Sequence, residues 1–144
     1  MNTVSSVLSR KGSHIVSVAP NTTVLEALKL MAEKNIGSVV VTENEQYLGI
    51  VTERDYSRKV ALKGKSSTDT LVSAIMSTDL PKVKPNDSIE HCMQLMTDRT
   101  IRYMPVFDNE QLAGIISMSD VVKETILAQK ETIDQLQHYI HGNS

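Results

Sequence analysis

The chain has 144 residues, of which 40% are hydrophobic and 22% charged, and a formal net charge of -2. This length allows a sizeable core, and the charge balance argues against a broad nucleic-acid surface, which requires clustered cations. We expect a globular cytoplasmic protein with no membrane partner, because the chain has no apolar run of roughly 18 residues, no signal-peptide core at its start and a single cysteine, Cys92.

The first predicted elements are a short strand at residues 15–18 and a helix. Four apolar residues recur at the spacing of one helix face, and Thr23 and Glu26 have the spacing of a capping box that opens this helix. Two apolar strands follow at residues 39–41 and 48–51, joined by a polar turn at residues 44–46. A second helix is predicted to begin near Asp55, and the polar residues 63–69 predict a surface loop.

The same order then recurs, because residues 18–55 align without a gap on residues 83–120. The second copy predicts a strand at residues 82–84, a helix capped by Asp87, strands at residues 104–106 and 112–116, and a helix from about Asp120. Identical residues include the turn Asn-Glu-Gln and the pair Gly-Ile in each copy. An internal duplication of the order strand, helix, strand, strand, helix is the simplest explanation.

Neither copy is large enough to bury its own sheet and helices well. The fold class that we predict is therefore α/β (α+β), with two pseudo-twofold-related units packed sheet to sheet. Residues 14–62 form the first unit and residues 76–130 the second, within a single module that spans residues 1–144.

The tail predicts a long helix over residues 121–140. One of its faces is apolar and needs cover, and residues near the start of the chain (Val4, Val7 and Leu8) are candidates for part of it. A homodimer is the second candidate, since symmetric association commonly covers exposed apolar faces. The apolar residues of this face are Val122, Ile126, Ile133, Leu136 and Ile140.

Each copy closes on the pattern Gly-apolar-apolar-Thr/Ser-x-x-Asp, at residues 49–55 and 114–120. Together with the duplicated order of elements, these closures resemble a tandem pair of CBS motifs, known as a Bateman module. The sequence is most similar to small bacterial proteins that consist of this pair of motifs alone. The resemblance implies a regulatory module that is not an enzyme, and a homodimer that forms a flat disc through its helices.

The resemblance also implies a ribosyl-nucleotide site at each motif, in the cleft between the units, for an adenine ligand such as AMP, ADP, ATP or NAD(H). An ionised Asp55 or Asp120 offers two acceptor oxygens to the two hydroxyls of a ribose. Thr52 or Ser117 lies three residues earlier, where the start of a helix favours a phosphate. The expected site residues of the first motif are Val16, Ile36, Gly37, Ser38, Thr52, Arg54 and Asp55. Those of the second motif are Pro81, Lys82, Ile101, Arg102, Tyr103, Pro105, Ser117, Met118, Ser119 and Asp120.

Structural roles compete with each of these assignments. Either aspartate could serve only to cap a helix, Thr52 and Ser117 could simply end strands, and isoleucines are core residues by default. Arg54 and Arg102 could be solvated surface charges. Gly37-Ser38 in the first motif aligns with Arg102-Tyr103 in the second. The two sites should therefore differ in charge and in the space available to a ligand. The first site, with the smaller residues, could accept a larger ligand such as a dinucleotide.

No catalytic or metal-binding constellation accompanies these motifs. Cys92 lies on an apolar helix stripe and is expected to be a buried, inert thiol. The pair His138-x-x-His141 has no acidic or thiol neighbours, which favours a solvated helix end over a metal site. We therefore predict no catalytic cofactor and no metal, and an effector protein that acts in trans. A structural or protein-interaction module that binds no ligand is the alternative.

Overall fold

The computed structural model describes residues 2–12 and 14–142 of the chain. It divides into two compact units, one formed by residues 14–80 and the other by residues 81–144 together with residues 1–13. This mixed α/β architecture, with two similar units and a long C-terminal helix, confirms the predicted fold class. The start of the chain therefore belongs to the second unit, which the repeat alone does not indicate.

The first unit contains a three-stranded sheet in the order β1-β2-β3, with β1 parallel and β3 antiparallel to β2. A short helix follows β3 directly, so that the last strand leads into the N-terminus of a helix. The segments are β1 Ser17–Val18, α2 Val24–Lys34, β2 Ser38–Glu43, β3 Gln46–Thr52 and α3 Glu53–Tyr56, after which come a π-helical turn Ser57–Ala61 and a 3-10 turn Val72–Ala74.

The second unit repeats this order. Its sheet has two strands in antiparallel register, and the segment predicted as a first strand contributes one parallel bridge, Val83 to Val106. The segments are α4 Ile89–Arg99, β4 Tyr103–Asp108, β5 Gln111–Ser117 and α5 Met118–Gly142, to which the start of the chain adds α1 Val4–Lys11.

Tight turns join the strands of both hairpins. Asn44 and Glu45 have φ values of 51° and 65°, and Asn109 and Glu110 have φ values of 50° and 69°. Two consecutive residues with positive φ are the signature of a two-residue type I′ turn, whose twist matches that of the flanking strands. Asparagine tolerates this conformation better than most residues, so the duplicated Asn-Glu pair fixes both hairpin registers.

One predicted helix cap is wrong, and one predicted capping box forms only in part. Ser88, rather than Asp87, caps α4, because its side chain accepts a hydrogen bond from the His91 amide. Asp87 lies one residue too early and instead accepts from the Lys84 amide, at 2.8 Å. Thr23 does cap α2 by accepting from the Glu26 amide at 3.1 Å. The Glu26 carboxylate, however, accepts the Thr23 hydroxyl rather than an amide, so the reciprocal half of the predicted capping box is not formed.

Each unit has its own aliphatic core, as the absence of tryptophan predicts. Valines from β2 and β3 pack with Met31 in the first unit, and Met96, Met104 and Ile116 lie in the second. Val4 and Val7 of α1 are buried in the second core beside Val121. Helix α1 thus covers the base of α5, while the predicted apolar stripe farther along the tail stays exposed.

Cys92 is a buried core residue of α4. Burial, and secondarily the charge of Asp87, raises the pKa of its thiol to about 11. A raised thiol pKa favours the neutral folded state, so the free energy of unfolding should fall as the pH rises from about 9 towards about 11. The same shift leaves about 100-fold less thiolate at pH 8 than an ordinary thiol would have.

We therefore expect Cys92 to react with a disulfide reagent at pH 8 at least about 100-fold more slowly in the folded protein than in urea. Absorbance of the released thiolate measures both rates. A cysteine introduced at the exposed Glu131, in a Cys92→Ala background, provides a fast-reacting control. Equal rates for Cys92 in the folded and unfolded protein would contradict the assignment.

Candidate nucleotide site at the two strand-to-helix junctions

In the first unit, β3 ends at Thr52 and α3 begins at the next residue. The Thr52 side chain accepts a hydrogen bond from the Asp55 amide at 3.0 Å, and Asp55 Oδ2 accepts from the Thr52 amide at 2.9 Å. This is a reciprocal capping box. Asp55 is 8% exposed, and Thr52 also donates its hydroxyl to Oδ2 at 3.0 Å. The helix thus begins two residues earlier than predicted, with Asp55 in its first turn.

The second unit has the same junction at β5 and α5. The Ser117 amide donates to Asp120 Oδ2 at 2.9 Å, and the Asp120 amide donates to Ser117 Oγ at 3.1 Å. Ser117 makes no hydroxyl bond to the carboxylate, in contrast to Thr52. In residues 2–12 and 14–142, the Ser117 hydroxyl has no acceptor, so its proton remains available to a ligand.

A lysine neutralises each aspartate, and the two lysines come from different places. Lys59 Nζ lies 3.0 Å from Asp55 Oδ1, one turn farther along the chain. Lys11 Nζ, from α1, lies 2.8 Å from Asp120 Oδ2. Each ammonium group also donates to a backbone carbonyl, that of Ile75 at 2.8 Å for Lys59 and that of Ile115 at 3.0 Å for Lys11.

The two carboxylates therefore differ in their remaining capacity to accept hydrogen bonds. Both oxygens of Asp55 have protein partners. Both hydrogen bonds that the described part of the chain donates to Asp120 end on Oδ2, which leaves Oδ1 for an added hydroxyl. Asp120 is the better placed of the two to receive a ribose.

The residues directly before β2 and β4 are hydrogen-bonded to these same junctions. The Glu53 amide donates to the Gly37 carbonyl at 3.1 Å, and the Met118 amide donates to the Arg102 carbonyl at 2.8 Å. Within the sheets, Ser38 pairs with Thr52, and Tyr103 pairs with Ser117. The structure thus brings these predicted site residues together at one end of each sheet.

One hydrogen bond to a backbone carbonyl and one to the capping side chain occupy two of the first three amides of each helix. In α5, the Met118 and Asp120 amides are bonded as described above, which leaves the Ser119 amide at the positive end of a 25-residue helix. In α3, the Glu53 and Asp55 amides are occupied in the same way, which leaves that of Arg54. Among the described residues, an anion at either junction would meet one amide that has no protein acceptor, at the positive end of the helix.

Among the apolar residues of the predicted site, Ile36 and Ile101 directly precede the residues whose carbonyls bond to the junctions, and the others lie along the sheets. Val16 accepts a hydrogen bond from the Val40 amide, at 3.0 Å, and so lies next to the first sheet. Ile36 is 36% exposed and is not a core residue, whereas Ile101 packs against the second core. Pro81 is half-buried before the Val83 bridge. Pro105 is buried two residues into β4, where its carbonyl accepts from the Val83 amide.

The predicted basic residues are placed less uniformly. Arg54 and Arg102 are exposed, so both are free to turn towards an anion. Lys82 lies elsewhere, because its ammonium group is 4.5 Å from the centroid of the Phe107 ring. Phe107 is at the turn end of the hairpin, four residues along β4 from Tyr103, or about 13 Å.

Lys11 and Lys59, which form ion pairs with the two aspartates, were not among the predicted site residues. The spacing of Lys59 from Asp55 is that of a helical ion pair, so the sequence carried a signal for this contact. Lys11 reaches Asp120 across 109 residues of chain, and no local pattern indicates such a contact. The described residues contain no group of three or more His, Cys, Asp or Glu side chains arranged to hold a metal ion. Nor does any helix among them have the length and apolarity needed to span a membrane.

Comparisons with known proteins agree with these features. The CBS domain family matches residues 4–62 and 72–126. CBSX3, a mitochondrial CBS domain-containing protein of Arabidopsis thaliana, is 36% identical over 97% of this chain and 72% of its own. YhcV, a CBS domain-containing protein of Bacillus subtilis, is 36% identical over 82% of this chain and 84% of its own.

A solved structure of a suggested signal-transduction protein with CBS domains, from Burkholderia ambifaria, superposes with a TM-score of 0.85. It is 44% identical and covers 89% of this chain and 96% of that one. The duplicated strand-to-helix junctions and the two matched segments have one explanation. The chain belongs to the CBS domain family and carries a tandem pair of CBS domains.

Proposed function

We propose that this protein is a non-enzymatic sensor that binds an adenine-containing nucleotide, with the second CBS domain as its principal site. The observation that carries the proposal is the Asp120 junction. A carboxylate with one oxygen free of protein donors, a serine hydroxyl and a free helix amide lie within four consecutive residues. These groups match the hydroxyls of a ribose and the oxygens of a phosphate.

The first CBS domain should bind more weakly. Thr52 and Lys59 already occupy both oxygens of Asp55, so a ribose must displace a protein partner there. The small residues Gly37 and Ser38 at its entrance leave more room than Arg102 and Tyr103 do in the second domain. We propose that any ligand of the first domain is the larger one, such as NAD(H).

Lys11 makes the second site dependent on the start of the chain. Its ammonium group neutralises Asp120 in the free protein and can turn towards a phosphate once the ribose occupies the carboxylate. Binding would thereby be communicated to α1, whose Val4 and Val7 are buried in the core of the second unit. An effector protein in trans would read this change, since a ligand shifts only those states to which it binds with different affinities.

The test is a thermal-shift panel of AMP, ADP, ATP, NAD, NADH and S-adenosylmethionine, with GMP as a control, on protein first shown to carry no retained nucleotide. A ligand at about 100 times its dissociation constant should stabilise the protein by roughly 2.7 kcal/mol. We expect a shift with adenine ligands that is lost in Asp120→Ala and retained in Asp134→Ala, where an exposed tail carboxylate is removed.

The panel also separates the alternatives. No shift with any ligand would overturn the sensor proposal and favour a module that acts only by binding other proteins. An equal shift with GMP would contradict recognition of adenine. Chromatography of the ligand after incubation should recover it unchanged, and turnover that is lost in Asp120→Ala would contradict a non-enzymatic role.

A further inference from the structure

Residues 54–65 of the first unit carry a strong positive charge. Five of these residues are basic and one is acidic, a formal charge of +4, whereas the whole chain carries -2 and its remaining residues therefore -6. The acidic residue, Asp55, is buried and paired with Lys59, and Arg54 lies at the same junction. The other three cations and one leucine are exposed. We call these four side chains the basic surface: Arg58, Leu62, Lys63 and Lys65.

The backbone that carries the basic surface is held in a defined conformation. Val60 anchors it, because this side chain is buried in the core of the first unit. The Leu62 amide donates to the Ser57 carbonyl at 3.0 Å, and the Lys65 amide donates to the Val60 carbonyl at 2.9 Å. Gly64, with a φ of 68°, closes the turn between these bonds. A fixed backbone lowers the conformational entropy that is lost when a partner binds.

No carboxylate of the described residues balances the cations of the basic surface. The three ion pairs in that part of the chain include neither Arg58 nor Lys63 nor Lys65. Glu53 and Asp69, the acidic residues that flank the segment, do not pair with them either. Unbalanced charges of one sign repel each other, and they attract a partner of the opposite sign.

Leu62 places an apolar side chain among these cations. It is 78% exposed, more than any other large apolar side chain that the structure describes. A single exposed leucine requires no explanation by itself. An apolar centre with charged side chains around it is, however, the usual composition of a protein-binding surface.

The second copy shows that the fold does not require this concentration of charge. Residues 119–130 occupy the equivalent positions and contain two basic and two acidic side chains, so their net charge is zero. Glu124 and Ala128 stand there in place of Lys59 and Lys63. Leu127, the counterpart of Leu62, is only 37% exposed. The basic surface is therefore a property of the first copy alone, which indicates a role other than folding.

We propose that the basic surface binds an acidic segment of another protein, one that also carries an apolar side chain. Its carboxylates would pair with the three cations, and its apolar side chain would cover Leu62. A long nucleic acid fits less well, because the charge of -6 on the remaining residues would repel it. A membrane also fits less well, since Leu62 is the single large apolar side chain that this surface offers for insertion. The proposal does not depend on nucleotide binding.

Fluorescence anisotropy with a labelled peptide tests the proposal. The probe has two central leucines with four glutamates on each side, at an ionic strength of about 50 mM, where charges are weakly screened. We expect Arg58→Glu together with Lys65→Glu to weaken binding at least about tenfold, because two attractive contacts become repulsive. Lys123→Glu with Lys130→Glu is the matched control, since it makes a like charge change at the equivalent positions of the second copy. A wild type that does not bind the peptide, or equal weakening by both pairs of substitutions, would overturn the proposal.

A second variant tests the apolar contact. Leu62→Ser should weaken binding of this peptide about threefold to tenfold. It should leave unchanged the binding of a peptide in which serine replaces both leucines. Equal effects on the two peptides would contradict a contact with Leu62.

Competing probes decide the class of partner. These are single-stranded DNA with the same number of charges and vesicles that contain an anionic lipid. Tighter binding of either one than of the peptide, lost in the double glutamate variant, would overturn the assignment to a protein segment. Circular dichroism verifies that each variant is folded. If the glutamate pair does not fold, Arg58→Gln with Lys65→Gln removes the same cations and should weaken peptide binding about threefold to tenfold. Unchanged binding by that folded variant would overturn the proposal.

Discussion

Gly49→Ala is expected to lower the free energy of unfolding by about 2–3 kcal/mol, because the added methyl group has no room. A Cβ atom at Gly49 would lie 2.5 Å from the Ser77 carbonyl oxygen. That oxygen is held in place, since it accepts a hydrogen bond from the Ile50 amide at 3.1 Å. Relief of the clash therefore requires the two backbone segments to separate. Urea denaturation monitored by circular dichroism measures the loss.

The duplication supplies a matched control in Gly114, the counterpart of Gly49 in the second copy. A Cβ atom there would lie 2.8 Å from Leu8 Cδ2, which is the end of a flexible side chain and can rotate away. Alanine also reduces the entropy of the unfolded chain. We expect Gly114→Ala to remain within about 1 kcal/mol of the wild type. Equal losses for the two variants would show that the Ser77 carbonyl is not the cause.

Asp120→Asn is expected to abolish discrimination between a ribonucleotide and its 2′-deoxy analogue. If Asp120 accepts a ribose hydroxyl, the wild type should bind AMP roughly 10–100-fold more tightly than 2′-deoxy-AMP, since a hydrogen bond to a charged group contributes about 1.5–3 kcal/mol. Asparagine retains the size of the side chain and an acceptor for the Ser117 amide, so the junction should stay folded. Isothermal titration calorimetry measures both affinities.

Two control variants test whether the preference for AMP comes from the Asp120 carboxylate itself, rather than from its lysine partner or from Asp55. Lys11→Met leaves the Asp120 carboxylate in place and should keep the preference for AMP, although the affinity itself changes. Asp55→Asn should have a smaller effect than Asp120→Asn, because Lys59 and Thr52 already occupy Asp55. A wild type that binds both ligands equally, or an Asp120→Asn protein that still prefers AMP, would exclude Asp120 as the ribose acceptor.

Much of the fold follows from local patterns. Short apolar runs predicted β2, β3, β4 and β5, and the Asn-Glu pairs predicted the turns between them. The spacing of apolar residues predicted α2, α4 and α5. These predictions succeed because hydrophobic periodicity and turn preferences act over a few residues.

The prediction was less successful at the ends of elements. The helices after β3 and β5 begin at Glu53 and Met118, two residues before the expected aspartates, because Thr52 and Ser117 provide the caps. Ser88 replaces Asp87 as the cap of α4, because Ser88 directly precedes the first helical residue and its side chain accepts from the His91 amide. Neighbouring residues of similar chemistry compete for such positions, and one sequence does not decide between them.

The sequence by itself determined the duplicated order of elements, the family and the pair of aspartates that close the two motifs. Only the tertiary structure decided which side chains and backbone groups contact these aspartates and the glycines at the start of the same motifs. It placed Lys11 on Asp120 and Lys59 on Asp55, and it set Leu8 over Gly114 where Gly49 meets the Ser77 carbonyl. The physical reason is that periodicity and capping involve near neighbours in the chain. The partner of an aspartate or a glycine is set instead by segments that pack together from distant parts of the sequence.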